Sequence, residues 1–87
     1  MELSDWRKRI DTLNQQLLGL LNDRARCAQA IAELKKIQQI PVYDPVRETQ
    51  VFDHVLSMNN GPLSNDAIRR IFECIIVEHR LLEENSP

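Results

Sequence analysis

Arg24 and Lys35 are the two cations whose placement in this sequence calls for chemistry. Trp6, Ile10, Leu13, Leu17, Leu20, Cys27, Ile31 and Leu34 recur at alternating steps of three and four, and Arg24 interrupts that apolar stripe. An unpartnered charge on a core-facing stripe costs several kcal/mol of desolvation, so Arg24 needs an anion. Lys35 stands eleven residues further on. At about 100° per residue it returns to within roughly 20° of Arg24's direction, some 16 Å along the axis. Two long side chains so placed can converge on one small dianion. Taken singly, each has an ordinary use: Arg24 pairs with an acidic side chain, and Lys35 snorkels to solvent.

Six other positions carry weaker signals of the same kind. Arg7 lies about 25 Å before Arg24 and points about 100° away from it, so it cannot join that site in its own chain. In an antiparallel dimer it can complete the partner's site; otherwise it is one member of a solvated Arg7-Lys8-Arg9 run. His79 and Glu83, four apart, continue the stripe of Ile68, Phe72 and Ile75 or Ile76. Polar groups there face a cavity or a partner, hydrogen bond to each other, or sit on a frayed terminus. Asp44 is first a helix cap, and Arg47 and Glu48 are first a surface pair in the turn that follows it. His54 reads as an exposed helical residue. No Ser or Cys is paired with a base in a recognisable motif, there is no glycine-rich phosphate loop, and two scattered histidines make no metal site. An enzyme built on this chain is expected to use no covalent intermediate, no metal and no cofactor.

Helices must position these groups. Gly and Pro concentrate in two breaks, Ile40-Pro41-Val42-Tyr43-Asp44-Pro45 and Asn59-Asn60-Gly61-Pro62-Leu63-Ser64. The intervening pattern predicts three helices, at about 4–39, 45–58 and 64–84, in a single all-α domain spanning 1–87. Asp44 caps the second helix with Pro45 at its first position, and Val51, Phe52, Val55 and Leu56 form its apolar side. Ser64 caps the third, with Asp66 in the first turn against the dipole. A first helix of about 34 residues is roughly 50 Å long, whereas a compact globule of this size is only about 30 Å across. The helix overhangs its own domain, and its apolar stripe needs a second chain to cover it. An intertwined homodimer with exchanged long helices is the expectation.

With 87 residues, 43% of them hydrophobic, the core is too small to be generous without disulfides, metal or a partner. A net charge of −2 argues against nucleic-acid binding, so any anion site is local. Cys27 and Cys74 sit among apolar residues and are expected as buried free thiols, a disulfide being the alternative. No apolar run approaches the roughly 20 residues of a membrane span, and the first ten residues lack a signal-peptide core, which makes the cytoplasm the expected location.

The chain resembles the all-helical, AroQ-type chorismate mutases over essentially its whole length. The resemblance rests on Trp6-Arg7-Lys8-Arg9-Ile10-Asp11, the block Leu17 to Arg24, Lys35, the string Val42 to Glu48, and Gly61-Pro62-Leu63 before Ile71-Phe72. It implies a homodimer of three-helix chains that rearranges chorismate to prephenate in aromatic amino-acid biosynthesis, free-standing or as one module of a longer polypeptide. By the same resemblance Arg24 and Lys35 hold a substrate carboxylate and the ether oxygen, and Arg7 is donated by the other subunit to the second carboxylate. Asp44 and Arg47 line the site, Glu48 binds the substrate hydroxyl, and Glu83 stands over the ether oxygen. His79 departs from the family, whose members more often carry Ser or Ala there. A related branch of the fold cleaves isochorismate to pyruvate and salicylate, which is the second enzymatic reading. A non-catalytic helical dimer is the third, opposed by cations that a scaffold has no reason to place on its core face.

Overall fold

The computed structural model describes residues 1–85; Ser86 and Pro87, the end of the expected domain, lie outside the described residues. Helix α1 runs Leu3–Gln38, α2 Pro45–Met58 and α3 Asn65–Glu84. The expected edges hold for α2 and shift by one residue for the other two. Helix α1 begins at Leu3 rather than Ser4, because Asp5 in the first turn reaches back to accept from the Glu2 N–H at 2.8 Å. It ends at Gln38, where Gln39 turns left-handed (φ 57°) and the Ile40 N–H returns to the Lys35 carbonyl at 2.8 Å. Ser64 is the cap of α3 rather than its first residue, its hydroxyl accepting from the Ala67 N–H. The turn between α2 and α3 is tied by Asn59, whose side-chain amide donates to the Leu63 carbonyl and to Asn65. Gly61 takes a positive φ of 78° there, a conformation that side chains with a Cβ resist.

Helix α3 packs on both α1 and α2. Only the rear half of α1 takes part in the core: Ala28 and Ala32 are buried, and with Ile76 of α3 they are the only buried hydrophobic residues among those described. Two alanines one turn apart let the helix axes approach closely, while the flanking Arg24 and Lys35 reach around the contact. The front half of α1 projects away. Thirty-six residues at 1.5 Å each make a rod of about 54 Å, and the molecule measures 54 × 26 × 15 Å. Along that rod Trp6, Ile10, Leu13, Leu17 and Leu20 stand between 43% and 66% exposed.

The cysteines correct their expectation. Both are free, but Cys27 and Cys74 are exposed rather than buried, since the α1 stripe on which Cys27 lies is only partly covered within one chain. No described helix is long and apolar enough to cross a membrane.

Candidate active site

The rear of α1, the loop after it, the first turns of α2 and the last turns of α3 enclose a cavity of about 260 Å³. Its polar lining is Arg24 and Lys35 from α1, Asp44, Arg47 and Glu48 from the start of α2, and His79, Arg80 and Glu83 from α3. Cys27, Ala28, Ile31, Val42, Val51 and Ile76 form the apolar walls. Seven of the eight residues singled out in the sequence thus meet in one place. The eighth, Arg7, lies exposed on the projecting half of α1 and does not line this cavity.

Each group is fixed by the local fold. The Asp44 carboxylate accepts from the Arg47 N–H at 3.0 Å and so caps α2 while facing the cavity. Capping aims the first turn of α2, with Arg47 and Glu48, at α1 and α3. Lys35 does not snorkel to solvent: its Nζ donates to the Val42 carbonyl at 2.9 Å, half-buried, which anchors the ammonium on the wall and ties the connecting loop to α1. Glu48 is not paired with its neighbour Arg47. Its carboxylate accepts from Arg80 Nη1 at 2.8 Å, and the Arg80 guanidinium lies over the Tyr43 ring, 4.8 Å from the centroid. That bond to Glu48 is also the main cause that raises the Arg80 pKa above its ordinary value.

Among the described residues Arg24 has no carboxylate in hydrogen-bond contact. Its Nη1 lies 2.6 Å from His79 Nδ1 in a half-buried contact. Burial lowers the Arg24 pKa, and the neighbouring Arg47 charge lowers it further, against the opposing pull of Glu83. The anion that the sequence demands for Arg24 is therefore still owed, since a neutral imidazole satisfies one N–H without balancing the charge. His79 itself is pushed below the usual histidine range, first by burial and then by Arg24. Glu83 is shifted the other way, upward, because burial outweighs the attraction of Lys35 and Arg24. With Glu48 neutralised by Arg80, the cavity presents Arg24, Lys35 and Arg47 against Asp44 and Glu83, whose pKa burial raises. The balance of charge suits a small anion.

Arg80 was not singled out in the sequence. The signal for it was available: it stands one turn after Ile76, the most buried residue of α3, on the column through Phe72 and Ile76. The apolar walls were equally hidden, because Ile31, Val51 and Ile76 read as ordinary core. Among the described residues no group of His, Cys, Asp and Glu is arranged to hold a metal ion.

The profile of the chorismate mutase type II family matches residues 6–84, and the chain belongs to that family. The bifunctional chorismate mutase/prephenate dehydratase of Stutzerimonas stutzeri is 38% identical over 95% of this chain, which spans 24% of that relative's length. The chorismate mutase of Methanocaldococcus jannaschii is 31% identical, over 95% of this chain and 85% of that protein. Among solved structures, a chorismate mutase from Thermus thermophilus superposes with a TM-score of 0.95 at 33% identity, covering 97% of this chain and 96% of that one. A chorismate mutase from Helicobacter pylori, solved in complex with prephenate, superposes with a TM-score of 0.87 at 28% identity, covering 95% and 90% of the two chains.

Proposed function

We propose that this chain is a chorismate mutase, which converts chorismate to prephenate in a homodimer whose two sites each combine residues of both subunits. The observation that carries the reading is the cavity itself: Arg24, Lys35 and Arg47 converge on one small space beside Glu83, in a chain of the chorismate mutase family. The chemistry fits what the lining can and cannot do. In the rearrangement the ether C–O bond breaks as a C–C bond forms within one molecule, so no nucleophile or cofactor is required. The substrate is a dicarboxylate that must fold into a compact shape, and negative charge gathers on its ether oxygen in the transition state. Carboxylate clamps supply the shape and preplaced donors stabilise the charge.

In this reading Arg24 holds one carboxylate, and Lys35 is the fixed donor to the ether oxygen, already anchored by Val42. Glu83, its pKa raised by burial, donates to the same oxygen in its protonated form. Glu48, aimed by Arg80, accepts from the substrate hydroxyl, while Arg47, Asp44 and His79 complete the lining.

The dimer has two supports. Five large apolar side chains of the stripe on the front half of α1 are exposed in the single chain, and each contributes about 1.5–3 kcal/mol when buried. The second carboxylate lacks a clamp that Arg7 of the partner subunit would provide. Exposed free thiols persist in a reducing compartment, which supports action in the cytoplasm.

Incubating the purified protein with chorismate, following loss of its absorbance and identifying the product as prephenate, tests the reading. A parallel incubation with isochorismate separates it from lyase activity. Turnover of isochorismate to pyruvate without turnover of chorismate would replace this reading with the other.

A further inference from the structure

His79 occupies an unusual place. It lines the cavity, and its Nδ1 is 2.6 Å from a guanidinium nitrogen of Arg24, which lies on a different helix. A guanidinium has five N–H donors and no acceptor, so the contact fixes the histidine's state by elimination: Nδ1 must carry its lone pair, and the ring hydrogen sits on Nε2. A doubly protonated imidazolium would set N–H against N–H and charge against charge at that distance, and the contact would open. The pose of Arg24 is therefore tied to the neutral form of one ring on α3.

We infer that His79 is a positioning residue for the reaction: its neutral imidazole holds the Arg24 guanidinium to the cavity wall in the orientation that receives the substrate carboxylate, and protonation of the ring releases it. This inference rests on the chorismate mutase reading, in which Arg24 clamps the substrate. The groups facing the ring can be named from each element around it. Helix α1 presents Arg24, Cys27 and Lys35; the start of α2 presents Asp44, Arg47 and Glu48; α3 itself contributes Glu78, Arg80 and Glu83. In the proposed dimer the partner subunit's Arg7 enters the same cavity. Burial and Arg24 disfavour the charged ring while Glu78 favours it, and the net displacement is downward. The release therefore falls below the ordinary histidine range, about 6.5. Loss of one hydrogen bond that orients a charged group corresponds to roughly tenfold in affinity or rate.

The test is the pH profile of kcat/KM for the parent, His79→Ala and His79→Gln. The parent is expected to lose activity as pH falls through the His79 pKa. His79→Ala is expected to lose about tenfold in kcat/KM at neutral pH and to lack that acidic limb. His79→Gln keeps an acceptor oxygen that does not titrate, so it is expected to recover part of the alanine loss and to lack the limb as well. An acidic limb unchanged in His79→Gln overturns the proposal, because it then belongs to Asp44, Glu48 or another carboxyl. A second readout needs no turnover: nitrogen NMR of the labelled histidines should show an unprotonated Nδ1 at neutral pH. Arg24→Lys should raise the His79 pKa or change its tautomer. A protonated Nδ1, or a His79 titration that ignores the Arg24 substitution, also overturns it. If the NMR result holds and no variant turns over chorismate, the functional reading fails while the contact between the two side chains stands.

Discussion

The two halves of helix α1 carry one apolar pattern, interrupted once by Arg24, and meet different fates. From Leu21 to Gln38 the helix is met by α3: Ala28 and Ala32, beside the stripe, are buried, Arg24 and Lys35 have partners in His79 and Val42, and of the stripe itself Cys27 and Ile31 line the cavity while Leu34 stays open. From Leu3 to Leu20 no described residue covers the stripe, and Trp6, Ile10, Leu13, Leu17 and Leu20 remain open. Propensity is not the difference, because both halves are continuous helix. What differs is reach: α2 and α3 are 14 and 20 residues long, too short to follow a 36-residue rod. A helix that carries more apolar face than α2 and α3 can cover is the ground on which the homodimer is proposed, and Arg7 lies on the uncovered half.

The sharpest way to break that contrast is to place a charge on the uncovered half. Leu17→Glu, on the stripe, is expected to abolish the dimer and reduce activity below detection, because a symmetric seam would bury the carboxylate in both chains. Gln15→Glu, on the opposite face of the same turn, is expected to leave assembly and activity intact. Sedimentation and circular dichroism read the outcome. A Leu17→Glu protein that remains a dimer would mean that the front half is covered by something other than its copy.

On the covered half the expected effects are large but leave the protein folded. Arg24→Ala and Lys35→Ala are each expected to lower kcat/KM by at least about a hundredfold, the scale of one lost transition-state donor. Near-normal kinetics in either folded variant would remove that residue from the site. The two halves are joined in a mixing experiment. Arg7→Ala and Lys35→Ala chains should each be nearly inactive alone. Refolded together from denaturant in equal amounts, they should recover roughly one quarter of the wild-type sites, since one site of each heterodimer collects both lesions and the other neither. If heterodimers form by native mass spectrometry and activity is only the average of the two parents, Arg7 does not act across the interface.

What was legible in the sequence follows the same divide. The three helices and the overlong α1 were readable because caps, prolines and apolar period are local signals. Arg24, Lys35 and Glu83 were readable because charge on an apolar stripe is an anomaly that needs no partner to be noticed. The pairings were not. Nothing local says that Glu48 turns from Arg47 to Arg80, 32 residues away, or that Arg24 finds His79, 55 residues away. Those choices are made by the docking of α3, which only packing decides. Cys27 misled for the same reason: it has the spacing of a core residue, but the docking of α3 leaves a cavity beside it rather than a packed neighbour.

Arg80 sharpens the contrast between a cation awaiting an anion and one already satisfied. Arg80→Ala should free Glu48 and lower kcat/KM only modestly, by about fivefold, since a solvent-screened ion pair holds its partner weakly. Arg80→Lys should recover part of the loss. In a Glu48→Gln background the alanine substitution should have little further effect, and an equal fivefold loss there would show that Arg80 acts on something other than Glu48.

The smallest effect concerns Glu83, whose pKa burial raises. Only its protonated form can donate to an ether oxygen, so the contribution is present at low pH and disappears as pH rises through that pKa. Lys35 and Arg24 oppose the shift in the free protein. A bound dianion would neutralise both cations and so move the Glu83 pKa further upward. The alkaline fall in kcat, which reports the complex, is therefore expected at higher pH than the fall in kcat/KM, which reports the free enzyme. Glu83→Gln carries an amide donor at every pH. Its activity is expected to stay within a few-fold of the parent at low pH, about what exchanging one neutral donor for another costs, and to exceed it progressively on the alkaline side. The ratio of the two proteins' kcat/KM values, measured across the range in one buffer series, isolates this residue from every other titrating group they share. A ratio that stays flat with pH would show that Glu83 does not supply the proton, and would leave Lys35 as the donor to the ether oxygen.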